Sequence, residues 1–279
     1  MPGYAVGIVL FAALLHALWN ILLKNSGDKR LTTVMLTGAA ALLAALILPF
    51  LQPPDRASWP FLAASSAAEI GYFLLLAAAY RSGDMSHAYP IMRGTAPLIV
   101  ASVSASVIGE ALSRLEWLGV ALICLGVLVL ALHGRSPGQH RTTTLLALAN
   151  AVTIAGYTLI DGLGVRRSHS PAAYTLCMYL VTGSLTLAWT LLTRGAELRA
   201  YVRGRLLVAF VAGAGIMSSY GLALWAMTVA PVALVAALRE TSIVFATILS
   251  VVLLKERISA QRLVATSLIV AGALSLRLA

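Results

Sequence analysis

The sequence predicts an all-α integral membrane protein: ten transmembrane helices in two inverted five-helix repeats around a central cavity. Three observations predict it. The chain of 279 residues is 60% hydrophobic and only 11% charged, with a mean hydropathy of +0.91. Apolar runs of roughly 20 residues, the length that crosses a bilayer as a helix, follow one another along the whole chain. The second half repeats the first at an offset of 146 residues.

The spans are expected at about 4–23, 31–51, 59–80, 87–108, 115–132, 143–162, 172–192, 206–228, 232–253 and 260–278. The first, "MPGYAVGIVLFAALLHALWN", has no basic lead and no small-residue cleavage site before a polar chain, so it reads as a span and not as a cleaved signal. Polar, glycine- and proline-bearing breaks separate the rest: "KNSGDKR", "QPPDRAS", "RSGDMS", "HGRSPGQHR", "RRSHSP" and "RGAELRAYVRGR". The fourth span carries Arg93 between Pro90 and Pro97, and each proline removes a backbone donor and can kink the helix. "SRLE" at 113–116 is a capping box opening the fifth span. Cys124 and Cys177 fall inside apolar runs and read as buried thiols, with no disulfide or metal implied.

The net charge of +10 resides mainly in the breaks, as in membrane-protein loops, which argues against a nucleic-acid partner. No metalloprotease helix, Cys/His cluster, phosphate-binding loop or nucleophile elbow is present, so no cofactor, metal, ATP-driven step or enzymatic activity is expected.

The repeat organises everything else. "YPIMRGTAPLIVASVSASVIGEALSRLEWLGVALICLGVLVLAL" falls without a gap on "VAALRETSIVFATILSVVLLKERISAQRLVATSLIVAGALSLRL". Arg93 meets Arg239, Thr95 meets Thr241, Glu110 meets Glu256, Ser113 meets Ser259 and Gly126 meets Gly272. The earlier spans match more weakly, pairing Trp19 with Tyr157. Residues 1–138 and 139–279 thus form two five-span halves of one transmembrane domain. An odd span count sets the halves in opposite orientations, an architecture of transporters that place their substrate near the midplane between the halves.

Spans four and five, and nine and ten, are the segments that carry a family likeness. A small-residue span ends in a glutamate, a serine opens the next helix and a glycine follows. These stretches resemble the two EamA-type repeats of the drug/metabolite transporter superfamily, and the likeness covers essentially the whole chain. The resemblance implies a basket-like helical fold with a central cavity, and export or exchange of small metabolites, often amino acids. Its small multidrug-resistance relatives carry a substrate-binding glutamate in the first span. Here that span offers His16 and Asn20 instead, which weighs against cation antiport of that type.

Candidate site residues are those that apolar spans tolerate only at a cost. Arg93 and Arg239 each lie about a third of the way into a span, either snorkelling to the headgroups or holding a carboxylate or phosphate in their planar forks. Trp19, Asn20, Tyr157, Tyr89, Tyr72 and Tyr220 are candidates to line the substrate cavity; Tyr80, Tyr89 and Trp59 also stand near enough to span ends to be interfacial anchors. Glu240, Glu69, His16 and Asp161 are the proton-coupling candidates. Glu240 has the alternative of pairing with Arg93 from the other half, and Asp161, near the end of span six, that of a plain interfacial position. Glu110, Glu256, Lys255 and Arg257 read as loop salt bridges and helix-end anchors.

Lysines and arginines concentrate in the breaks after spans 1, 3, 5, 7 and 9. Lys24, Lys29, Arg30, Arg81, Arg135, Arg141, Arg194, Arg199, Arg203, Arg205, Lys255 and Arg257 lie there, against Arg56, Arg114, Arg166, Arg167 and Arg277 opposite. The charge bias places the termini outside, whereas the resemblance places them in the cytoplasm. The sequence therefore reads as a secondary transporter of the bacterial inner membrane for small polar metabolites such as amino acids, as a monomer or homodimer. The rivals are an exporter of lipophilic cations and a membrane-embedded lipid-handling enzyme.

Overall fold

The computed structural model describes residues 1–24, 28–131, 141–255 and 258–279. Its helices are α1 (Gly3–Lys24), α2 (Lys29–Ile47), α3 (Trp59–Ser82), α4 (Met85–Val107), α5 (Arg114–Ala131), α6 (Arg141–Arg167), α7 (Pro171–Val202), α8 (Leu206–Ala226), α9 (Val232–Arg239), α10 (Ser242–Leu254) and α11 (Ala260–Leu278). Among the described residues nine segments are long and apolar enough to cross a membrane. Eight each contain one α-helix, and the segment Val232–Val252 joins α9 to α10. The expected fourth span, α4, is not one of the nine. It is 23 residues long but carries Arg93, both prolines and a buried His87.

Helix ends follow local chemistry. Asp28 accepts from the Leu31 amide to open α2, and Asp84 accepts from the Ser86 amide to open α4. The capping box at α5 forms, Ser113 N donating to Glu116 Oε2 at 2.8 Å and Glu116 N to Ser113 Oγ at 3.3 Å. Ser259, its repeat counterpart, caps α11 through the Arg262 amide. The expected seventh span continues past 192 to Val202, with a bend at Arg194, whose φ of −141° and ψ of 33° leave the helical region.

The break in the helices falls away from the prolines that could have kinked the fourth span. Pro90 and Pro97 do not interrupt α4, which is helical throughout. The break falls in the proline-free counterpart, where α9 ends at Arg239 and α10 begins at Ser242. Tightened three-residue turns carry the chain across, with Glu240 N donating to Ala237 O and Ile243 N to Glu240 O. The charges suit this break. A cation at the end of α9 and an anion before the start of α10 each complement a helix dipole.

Packing repeats as the sequence does. The contact of α3 with α6 has its counterpart in α8 with α1, that of α4 with α6 in α10 and α9 with α1, and that of α2 with α8 in α7 with α3. Two contacts are their own counterparts, α2 against α7 and α5 against α11. At the α5–α11 seam, a Cβ on Gly272 would lie 2.6 Å from the Gly119 carbonyl oxygen, and one on Gly126 would lie 2.7 Å from the Ala265 carbonyl oxygen. Bare backbones therefore touch, the arrangement that gives membrane helices dispersion contact where no hydrophobic force acts between them. Ser275 Oγ donates to Leu115 O at 3.1 Å, and Gln261 donates to Val129 O at the mirrored position. Gly126→Leu or Gly272→Leu is accordingly expected to remove most of the folded, monodisperse yield in detergent. Recovery equal to the parent on size exclusion would contradict a close-packed seam.

Candidate functional site

The polar groups of the core converge where α4, α6 and α9 meet. A small cavity is lined there by Arg93, Ala96, Pro97 and Val100 of α4, by Ile154, Tyr157 and Thr158 of α6, and by Ala236, Arg239 and Glu240 at the α9 break. Both halves of the chain thus contribute an arginine to one space. The α4 stretch is made of small residues, and Gly94 brings it close to α5. A Cβ there would lie 2.8 Å from the Leu128 side chain.

The two arginines differ in what holds them. Arg93 is bound by Glu240 in a two-point ion pair, Nη2 to Oε1 at 2.8 Å and Nε to Oε2 at 3.1 Å. The side chains are only 14% and 4% exposed, so the pair lies inside the protein and neither group snorkels. Glu240 takes the alternative it had as the partner of Arg93. Arg239 lies with its guanidinium carbon 4.7 Å from the centre of the Tyr220 ring, a cation–π contact on one face of the fork. Among the described residues no carboxylate lies within ion-pair distance of Arg239. Its charge is held by an aromatic face and its donors border the cavity.

Tyr220 is in turn fixed by Asp161. The Tyr220 hydroxyl donates to Asp161 Oδ2 at 2.6 Å and the Tyr174 hydroxyl to Oδ1 at 3.1 Å. Asp161 is fully buried, which overturns the interfacial position expected of it. The sequence reading ended span six at 162, whereas α6 runs five residues further and draws Asp161 inside. Glu69 of α3 is half-buried, with Asp161 and the Thr182 hydroxyl as its polar neighbours.

Other candidates divide between the cavity and its surroundings. Tyr157 lines the cavity, and Tyr72 stands edge-on to it with ring centres 6.2 Å apart. Tyr89, half-buried on α4, has Arg93, Glu240 and Arg239 as its charged neighbours, so it belongs to this cluster and not to an interfacial belt. Arg93 and Arg239 are also the charged neighbours of His16. Trp19, a candidate to line the cavity as its repeat counterpart Tyr157 does, lies elsewhere. It meets the His16 ring edge-on at 5.0 Å and packs against Met35, Leu36, Ala39, Ala209 and Ala212 of α2 and α8. Asn20 donates to the His16 carbonyl oxygen at 2.7 Å, one turn back on its own helix. Trp19 and Asn20 are therefore not among the residues lining the cavity.

Sequence reasoning missed Tyr174, Thr158 and Thr182. The signal for Tyr174 was Gly164, where a Cβ would collide with the tyrosine ring, but such a glycine is legible only once its neighbour is known. Glu110 does form its loop ion pair, with Arg166. Lys255 takes a left-handed conformation at φ 54°, matching Gly109 at φ 80° in the first repeat, while Glu256 and Arg257 lie outside the described residues.

Comparison with known proteins agrees with this architecture. The EamA-like transporter family matches the chain twice, over residues 3–132 and 141–278. A solved protein crystal structure superposes with a TM-score of 0.76 at 21% identity, covering 100% of this chain and 99% of the other. That likeness shows a shared fold. No curated protein matches the chain.

Proposed function

The chain belongs to the EamA-like transporter family, and on that premise we propose that this integral membrane transporter is a secondary exporter or exchanger of small zwitterions or anions such as amino acids. The observation that carries the reading is Arg239: a buried-side guanidinium held on an aromatic face, without an ion-pair partner among the described residues, bordering a cavity between the two halves. A planar fork of this kind suits a substrate carboxylate. The Arg93–Glu240 pair supplies both charges next to it, and Tyr157, Tyr72 and Tyr89 offer hydroxyls for an ammonium or a neutral polar group.

Alternating access is the mechanism this reading assigns, and the duplicated packing supports it. The two halves, set in opposite orientations, rock about the cavity, and the carboxyls of Glu69 and Asp161 are the groups through which a proton couples to that motion. The chain resides in the bacterial inner membrane in this reading, its arginine-rich side facing the cytoplasm.

The test is a ligand screen by thermal shift on purified protein, with amino acids, phosphorylated metabolites and organic cations as three arms, followed by flux of the stabilising compounds into proteoliposomes. Stabilisation and flux by compounds bearing a carboxylate are expected. Stabilisation by organic cations alone would replace the proposal with its rival, a lipophilic-cation exporter.

A further inference from the structure

Glu110 and Arg166 tie together three elements at one end of the bundle. The chain leaves α4 through Gly109, whose φ of 80° is left-handed, and this turn brings Glu110 N back to the Ser104 carbonyl oxygen at 3.2 Å. One oxygen of the Glu110 carboxylate pairs with Arg166 near the end of α6. The other accepts from Val232 N at 2.8 Å, capping α9, which receives no side-chain cap from its own Pro231. Arg166 in turn donates to the Met227 carbonyl at 2.7 Å and the Ala230 carbonyl at 3.0 Å, in the link between α8 and α9. A residue of the first repeat thus closes the entrance to α9, the helix that carries Arg239 at its far end.

The repeat shows what is special about this end. At the same offset of 146 residues, Val232 corresponds to Ser86 and Ala230 to Asp84. The corresponding positions are engaged locally. Ser86 N donates to Asp84 Oδ1 at 2.8 Å. α4 takes a cap from its own Asp84, where α9 recruits one from across the bundle. Repeat-related parts have been made chemically unequal at the two ends.

We propose that Glu110 and Arg166 form an ionic latch that closes the transport path at the end of the bundle where α4, α6 and the α8–α9 link meet, and that opening toward that side requires the pair to separate. The inference rests on the transport reading. Partial burial, with side chains 30% and 15% exposed, makes the pair strong enough to bias a two-state equilibrium while leaving water access for its release.

Accessibility tests this without any substrate. In a background with Cys124 and Cys177 replaced by alanine, Ala96→Cys places a thiol in the cavity wall. It is labelled with a charged, impermeant methanethiosulfonate in right-side-out and inside-out membrane vesicles. A separate Arg114→Cys variant, exposed on the Glu110 side, reports which vesicle presents that side. Glu110→Gln keeps an acceptor for Val232 N and removes the ion pair; Arg166→Gln removes it from the other partner. Each is expected to raise labelling from the Glu110 side relative to the opposite side by about tenfold, the shift for a loss of roughly 1.4 kcal/mol between two states. An unchanged ratio in both folded variants overturns the latch. Because labelling reads access and not flux, a protein that carried none of the screened compounds would still give either answer.

Discussion

Glu240→Ala is expected to lower the stability of the folded chain by about 3–5 kcal/mol, because removing one partner of a buried ion pair leaves the other charge without compensation. The direction is sharpened by the neighbours. Without Glu240, two arginines from opposite halves face one cavity. Without Arg93, in contrast, Glu240 still has Arg239 as a charged neighbour. Arg93→Ala is therefore expected to be the milder lesion of the two. Thermal or denaturant unfolding in detergent reads both, and equal losses would contradict this account of the cavity's charge balance. The double variant Arg93→Met, Glu240→Leu is expected to regain stability, since apolar replacement of a buried pair is often neutral or favourable. It is expected to remain inactive.

Arg239→Lys is expected to cut transport by about 10–100-fold, the equivalent of one or two charge-assisted hydrogen bonds at roughly 1.5 kcal/mol each. Lysine keeps the charge but loses the planar fork and the stacking on Tyr220. Folding should be spared, because the residue lies at the end of α9 beside the cavity and, among the described residues, stacks on a ring face without an ion-pair partner. Flux of a stabilising amino acid in proteoliposomes, at concentrations below saturation, measures the effect. Wild-type flux from the lysine variant would dismiss Arg239 as the carboxylate receptor.

The difference between these two arginines marks how far the sequence could be read. Repetition at a fixed offset identified Arg93 with Arg239, and Gly126 with Gly272, because those residues are rare enough in an apolar chain to register. It also placed Glu240 as one possible partner of Arg93. It could not show which arginine keeps its fork free, since Arg239 and Glu240 are adjacent and their directions depend on the break between α9 and α10. That break has no proline to announce it; it arises where two helix ends and two opposite charges coincide. Proline chemistry pointed instead to α4, whose backbone stays helical through both prolines. Asp161 was misplaced for a simpler reason. Hydropathy ends a span where arginines begin, but α6 continues to Arg167, one of the arginines that close it. Trp19 was matched to Tyr157 by position, yet the α2 and α8 side chains around it differ from those around Tyr157, and packing followed the neighbours.

The seam between α5 and α11 has a consequence for how such a chain arose and assembles. Gly119 meets Gly272 where Ala265 meets Gly126, so each face of the seam presents the other with the same pattern of small residues at the same spacing. A surface of that kind is isologous, the property that lets identical subunits form closed dimers. Such a contact is indifferent to whether its two faces belong to one polypeptide or to two. A half-length ancestor carrying either face would already have possessed a dimer interface, and joining two copies end to end would have added linkage without requiring any new surface. What duplication then made possible was inequality: with two copies under one sequence, one arginine could be paired and the other left to face the cavity.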